Sequence, residues 1–190
     1  VIAGVKNDPR RPPDLLLELP HGATRARHYE TVRKGLVGSL PPDLERYLVV
    51  NTDVGSPECA LEVARKIVTS RSTRDLHGLL AAGNGRVTAG RSDLKVEIVR
   101  SLLPRTLVDC NRDLETDQDG PRRASLTRSI PDYIRESDDV DRLERLHRAY
   151  RSVAEEAYKR VCGAGGLAIQ LHTYAPRHVE IDRVDDGIEI

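Results

Sequence analysis

The sequence predicts an α/β fold, a three-layer α/β/α sandwich built on a mixed, mainly parallel sheet. Three observations predict it. Apolar runs of strand length close on turn residues at Leu15-Leu16-Leu17-Glu18-Leu19-Pro20, at Tyr47-Leu48-Val49-Val50 and at Leu167-Ala168-Ile169-Gln170-Leu171. Stretches with apolar residues at helical spacing lie between those runs. Alternation of the two is the trace of crossover units, and 190 residues suffice for a single domain over residues 1–190 with a substantial core.

In chain order, residues 1–13 read as a lead-in loop, because Pro9, Pro12 and Pro13 exclude a helix or a central strand. The first strand stops at Pro20-His21-Gly22, which places His21 at a carboxyl end, where open α/β sheets bind ligands. Thr24 is expected to cap a helix through Arg27, Tyr29, Val32 and Leu36, ended by Gly35, Gly38 and Pro41-Pro42. The strand at Tyr47–Val50 hands over to Asn51-Thr52-Asp53, so Asp53 also stands at a strand end. Ser56 as cap and Pro57 as first residue open a helix with Ala60, Leu61, Ala64, Ile67 and Val68 as its apolar stripe. Residues 70–92 carry Gly78, Gly83, Gly85 and Gly90 and read as loop. Gly83-Asn84-Gly85 is a turn, since a phosphate loop needs Lys-Ser/Thr after its glycines.

Lys95 to Leu103 fits a strand or a short helix, and Arg105 to Arg112 reads as a strand delivering Asp109, Asn111 and Arg112. Residues 113–137 are polar and suggest a long surface loop. Asp138 or Asp139 is expected to cap a long helix with Val140, Leu143, Leu146, Tyr150, Val153, Ala157 and Val161 on one face, stopped by Gly163 to Gly166. The last strand delivers His172 ahead of Thr173.

Composition narrows the function. Thirty basic residues balance thirty acidic ones, so no net field favours nucleic acid. Cys59, Cys110 and Cys162 are odd in number and widely spaced, which suggests neither a disulfide framework nor a cysteine zinc knuckle and makes a reducing cytoplasm the default. No apolar run reaches the ~20 residues of a membrane helix, and the first residues lack the order of a signal peptide, so a soluble protein is expected. Phe, Trp and Met are absent beside six Tyr, which physics does not explain. One hypothesis is that segments are joined across missing residues, in which case motif spacings are lower bounds.

Two strands thus each deliver an imidazole, and a third delivers a carboxylate and an arginine. A lone histidine after a strand is most simply a hydrogen-bonded turn residue. Repetition of the pattern shifts the reading toward a metal, because neutral imidazole with carboxylate is a natural zinc donor set.

The ordered set Pro20-His21-Gly22, Thr52-Asp53, Asp109-Cys110-Asn111-Arg112 and Leu171-His172-Thr173, with Leu146-His147-Arg148-Ala149-Tyr150 as a weaker fifth piece, resembles the N-formylglutamate amidohydrolase family of zinc-carboxypeptidase-like hydrolases. The resemblance implies a zinc-peptidase (phosphorylase/hydrolase-like) fold, Zn2+ as cofactor, and cleavage of the amide bond of an N-formyl or N-acyl amino acid, a small carboxylate. It implies His21 and His172 as zinc ligands. Three residues past the first histidine, where carboxypeptidases carry a glutamate ligand, this chain has Thr24, so Asp53 is the expected third ligand and Glu18 or Glu58 the fallback. Arg105, Asn111 and Arg112 are implied as holders of the substrate carboxylate, since an arginine fork grips a carboxylate through paired charged hydrogen bonds. Glu180 or Glu189, after the last histidine strand, is implied as general base.

Asp109 is expected to pair Arg112 or orient a ligand histidine rather than act on substrate. Arg25 and Arg27 follow the His21 loop and are expected either to face the site or to be solvated, His147 is expected to be packed, and His28, His77 and His178 structural or exposed. Two alternatives stay open: a zinc carboxypeptidase or peptidoglycan amidase, and a metal-free binding domain on the same scaffold.

Overall fold

A computed structural model describes residues 2–3, 10–42, 44, 51–69, 94–114 and 128–173. The expected strand at 47–50, the loop at 70–92, His77, His178, Glu180 and Glu189 lie outside the described residues. The chain divides into two compact units, one of Val1–Leu19, Pro57–Val99 and Ser152–Leu171, the other of Pro20–Ser56, Arg100–Arg151 and His172–Ile190.

The first unit holds the sheet. Strands β1 (Ile2–Ala3), β2 (Leu15–Leu19), β3 (Lys95–Arg100) and β4 (Leu167–Gln170) lie in the order β1-β3-β2-β4. The last three strands run parallel and β1 pairs antiparallel with β3, so the fold is a mixed α/β one with an open sheet. The short β1 corrects the reading of residues 1–13 as loop throughout: the prolines begin only at Pro9, and Ile2 and Ala3 pair with Val96 and Lys95. Leu15, Leu17 and Leu19 point to one face of β2 and pack with Ala60 and Ala64 of the helix Ser56–Thr69 and with Val96 of β3. Leu61 is 36% exposed and falls off the stripe, being about 100° around the helix from Ala60.

Leu16 and Glu18 occupy the opposite face of β2, and Glu18 is buried. Its Oε2 accepts hydrogen bonds from the Tyr158 hydroxyl at 2.7 Å and the Gln170 amide at 3.2 Å. Burial of a carboxylate requires such partners.

The second unit packs around Tyr29 and Val32 of helix α1 (Ala26–Arg33), Leu44, Leu107, Val108, Ile134 and Leu143. Arg25, not Thr24, is the residue before α1, and its backbone N–H donates to His28 Nδ1 at 3.3 Å, so the return half of a capping box replaces the expected threonine cap. The helix Ser56–Thr69, α2 below, departs the other way and starts one residue early, with the Ser56 N–H donating to Asp53 O at 3.0 Å while its buried hydroxyl makes no hydrogen bond among the described residues.

The longest helix among the described residues, α3 (Ser137–Cys162), buries Asp139, Leu143, His147, Tyr150, Ala154, Ala157 and Val161, each three or four residues after the last. His147 and Ala154 therefore take the places expected for Leu146 and Val153, and Val153 is 55% exposed. Asp139 does not cap its own helix; its carboxylate accepts the N–H groups of Val37 and Gly38 at 2.9 and 2.8 Å. The helix ends as expected, at Gly165 with φ of +86°, a conformation glycine adopts without strain.

Residues Arg105 to Arg112 are not a strand. Pro104 O accepts the N–H groups of both Leu107 and Val108, at 2.9 and 3.0 Å, and the segment runs through successive turns. In the expected surface loop at 113–137, Ser129 and Ile134 are buried. All three cysteines are free thiols. No helix among the described residues is long and apolar enough to cross a membrane.

Candidate metal centre

His21 lies two residues beyond β2 in a turn, His172 two residues beyond β4, and Asp53 in the bend that precedes α2. All three belong to the second unit. Thr173 donates its hydroxyl to Val54 O at 2.9 Å, which ties the His172 segment to the Asp53 bend. His21 and Asp53 are buried, and His172 is partly so.

The three side chains converge. Asp53 Oδ2 lies 2.8 Å from His172 Nδ1, Asp53 Oδ1 lies 3.6 Å from His21 Nδ1, and the imidazole centroids are 5.1 Å apart at 61°. One donor atom from each residue falls within 4.8 Å of the others. Two ligands on one tetrahedral zinc, at bond lengths of ~2.0–2.1 Å, stand about 3.3 Å apart. The observed 3.6 and 2.8 Å bracket that value, so the chemistry and closeness of the donor set suit the ion.

Proton bookkeeping at His21 points the same way. Its Nε2 lies 2.7 Å from Asp109 Oδ1, and a carboxylate only accepts, so Nε2 carries the proton. In the neutral ring Nδ1 then presents a lone pair to the Asp53 carboxylate, an arrangement that calls for a second proton or a cation between them. Burial alone would lower the His21 pKa, but the hydrogen bond to Asp109 and the negative charges of Asp109 and the nearby Asp53 outweigh it and raise the value above the ordinary 6.5. For Asp53 and Asp109, burial raises the pKa, but the neighbouring groups together more than reverse it, His21 and His172 at Asp53 and His21, the Asn111 N–H and Arg105 at Asp109, so both carboxyls are held below their usual range.

Asp109 does what was expected of it and more. Besides His21 it accepts the Asn111 N–H on Oδ1 at 2.9 Å, and the Nε groups of Arg105 and Arg112 on Oδ2 at 3.2 and 3.0 Å. Its own N–H donates to Ser129 O at 2.7 Å, and its carbonyl accepts the Ser129 hydroxyl at 3.1 Å. A metal-ligating histidine is held in just this way by a carboxylate on its other nitrogen. Ser129 escaped the sequence reading, having no motif around it. Twin arginines four residues before and three after Asp109 were the visible sign of its role.

The structure therefore brings His21, Asp53 and His172 together, with Arg105 and Arg112 one carboxylate away. The fallback ligands do not join them: Glu18 is bound to Tyr158 and Gln170, and Glu58 is exposed and outside the group. Asn111 contributes its backbone to Asp109 while the residue is exposed. Arg25 and Arg27 are exposed, and His28 is buried.

Gly22 follows His21 under a tight constraint. A Cβ there would stand 2.5 Å from Arg100 Cγ and 3.1 Å from Ser101 O, and Arg100 Nε already donates to Gly22 O at 2.7 Å. Gly22→Ala is expected to destabilise the protein by about 1–3 kcal/mol, the usual cost of overpacking, and a urea unfolding midpoint unchanged from wild type would contradict the packing described.

A pH effect follows from His21. Because its folded pKa is raised above the unfolded value, its contribution is full below pH 6.5 and is lost as pH rises through the folded value. A zinc ion held by this group would have to displace the same protons, so its binding would strengthen over that window. Thermal melts with and without zinc are expected to separate more at pH 8 than at pH 6, and equal separations would contradict the assignment.

In comparisons with known proteins, no family model, no curated protein and no solved structure matches the chain.

Proposed function

We propose that residues 1–190 form one zinc-dependent hydrolase domain, a three-layer sandwich of the zinc-peptidase type, that cleaves the amide bond of an N-formyl or N-acyl amino acid. The observation that carries this reading is the His21-Asp53-His172 group with Asp109 behind His21. Three protein donors leave one position open, the pattern of catalytic rather than structural zinc. A zinc ion held there would supply Lewis acidity and acidify water at its open position.

The chain's own residues supply the rest. Asp109 holds the His21 tautomer that leaves Nδ1 as donor atom. Arg105 and Arg112 spend Nε on Asp109, and both side chains are about one-third exposed, which leaves the outer edges of two guanidinium groups to grip a substrate carboxylate. Asp53 and Asp109 balance Arg105 and Arg112, so a divalent cation makes the centre doubly positive and suits a dicarboxylate such as an N-acyl glutamate. The general base is assigned to Glu180 or Glu189 on the resemblance alone.

Zinc content by elemental analysis, followed by hydrolysis of N-formylglutamate, tests this. Arg112→Ala is expected to raise KM about tenfold to a hundredfold, the worth of a charged hydrogen bond. A variant that loses activity only in kcat would remove Arg112 from substrate binding. The second reading, a metal-free carboxylate-binding domain, is favoured by the direct 2.8 Å contact between Asp53 and His172. Failure of the protein to retain zinc after incubation and dialysis would leave that reading in front.

A further inference from the structure

His147 is 2% exposed on α3, in a buried stripe that is otherwise apolar from Leu143 to Val161 save for the Tyr150 hydroxyl. Its Nε2 lies 2.8 Å from Arg112 O. A carbonyl only accepts, so Nε2 carries the proton and Nδ1 holds a lone pair. That Nδ1 is buried with no hydrogen-bond partner among the described residues, and burial lowers the pKa of the ring, which keeps it neutral. Leucine would fill the same volume without an unsatisfied buried atom. What imidazole supplies and leucine cannot is the one bond to Arg112 O.

Arg112 O belongs to the turn that aims Asp109. The Arg112 N–H donates to Asp109 O at 3.2 Å, the Asn111 N–H to Asp109 Oδ1 at 2.9 Å, and Arg112 Nε to Asp109 Oδ2 at 3.0 Å. The same Oδ1 accepts His21 Nε2. We propose that His147 is a positioning residue: through Arg112 O it fixes the turn that holds Asp109 against His21. This rests on the proposed metal reading only for the role of His21 as ligand.

Proton NMR of the metal-free full chain tests it. An imidazole N–H donated to a buried carboxylate gives a slowly exchanging resonance, assigned here to His21 by its loss in His21→Ala. The signal is expected in wild type and in His147→Gln, whose terminal amide takes the place of Nε2, and is expected to vanish into exchange in His147→Leu. Should the leucine variant fail to fold, His147→Asn, whose amide sits near Nδ1 and falls short of Arg112 O, makes the same comparison. A signal absent from wild type, kept in the leucine or asparagine variant, or lost equally in the glutamine variant overturns the proposal.

Zinc titration of the same proteins separates the two claims. No zinc binding in wild type removes the metal reading and leaves the NMR result standing. With zinc bound, the leucine variant is expected to bind about 10- to 100-fold more weakly, as for other residues behind a ligand. Unchanged affinity despite a lost signal overturns the link from His147 to the ligand.

Discussion

Replacing His21 and His172 together by alanine is expected to abolish zinc binding, from about one ion per chain to background. The double variant leaves Asp53 as the only member of the group, and a single carboxylate cannot hold zinc against dialysis. Each single variant keeps two donors and is expected to bind weakly, with His21→Ala the worse, because it also removes one of the four donors to the buried Asp109 carboxylate. Any activity toward N-acyl amino acids falls with the metal. Elemental analysis alongside far-UV circular dichroism separates metal loss from unfolding, and a folded double variant that still carries one zinc would sink the assignment.

Asp109→Ala is expected to cost stability even without metal. It strands the His21 Nε2–H, the Asn111 N–H and two guanidinium groups at once. His21 and Asp109 are both about 95% buried, so removing one partner falls in the range of about 3–5 kcal/mol for a broken buried pair. The arginines add little, since water reaches their exposed ends. Asp109→Asn keeps an acceptor for His21 and is expected to cost less in stability. Urea unfolding of the metal-free proteins gives the comparison, and a loss below about 1 kcal/mol for the alanine variant would mean the buried pair carries no structural weight.

The elements with a clear period were legible in the sequence. Leu15 to Leu19, Leu167 to Gln170, the helix after Pro57 and the helix of 26 residues all stand close to where the pattern put them. So did the convergence of His21, Asp53 and His172. The failures share one cause, which is that burial and secondary structure are separate facts. Thr106 to Cys110 is buried without a break, the look of a central strand, yet Pro104 O captures two N–H groups and winds the segment into turns. Within α3 the apolar residues Leu146 and Val153 drew the stripe one position aside, because a buried histidine does not count toward a hydrophobic pattern. Capping by Asp139 failed for a related reason: the donors its carboxylate takes are more than 100 residues away in sequence, at Val37 and Gly38.

Glu18 bears on how the chain finds its pairing. In β2 every residue is buried, so hydrophobicity alone would tolerate either face of the strand turned to either layer. A slip of one residue against β4 exchanges the faces. It would press the Glu18 carboxylate among Ala60, Ala64 and Val96 and strip it of the Tyr158 and Gln170 donors. The acid thus acts as a proofreading mark, raising the energy of the misaligned sheet so that the strand settles with Leu15 opposite Leu167 and Glu18 opposite Gln170.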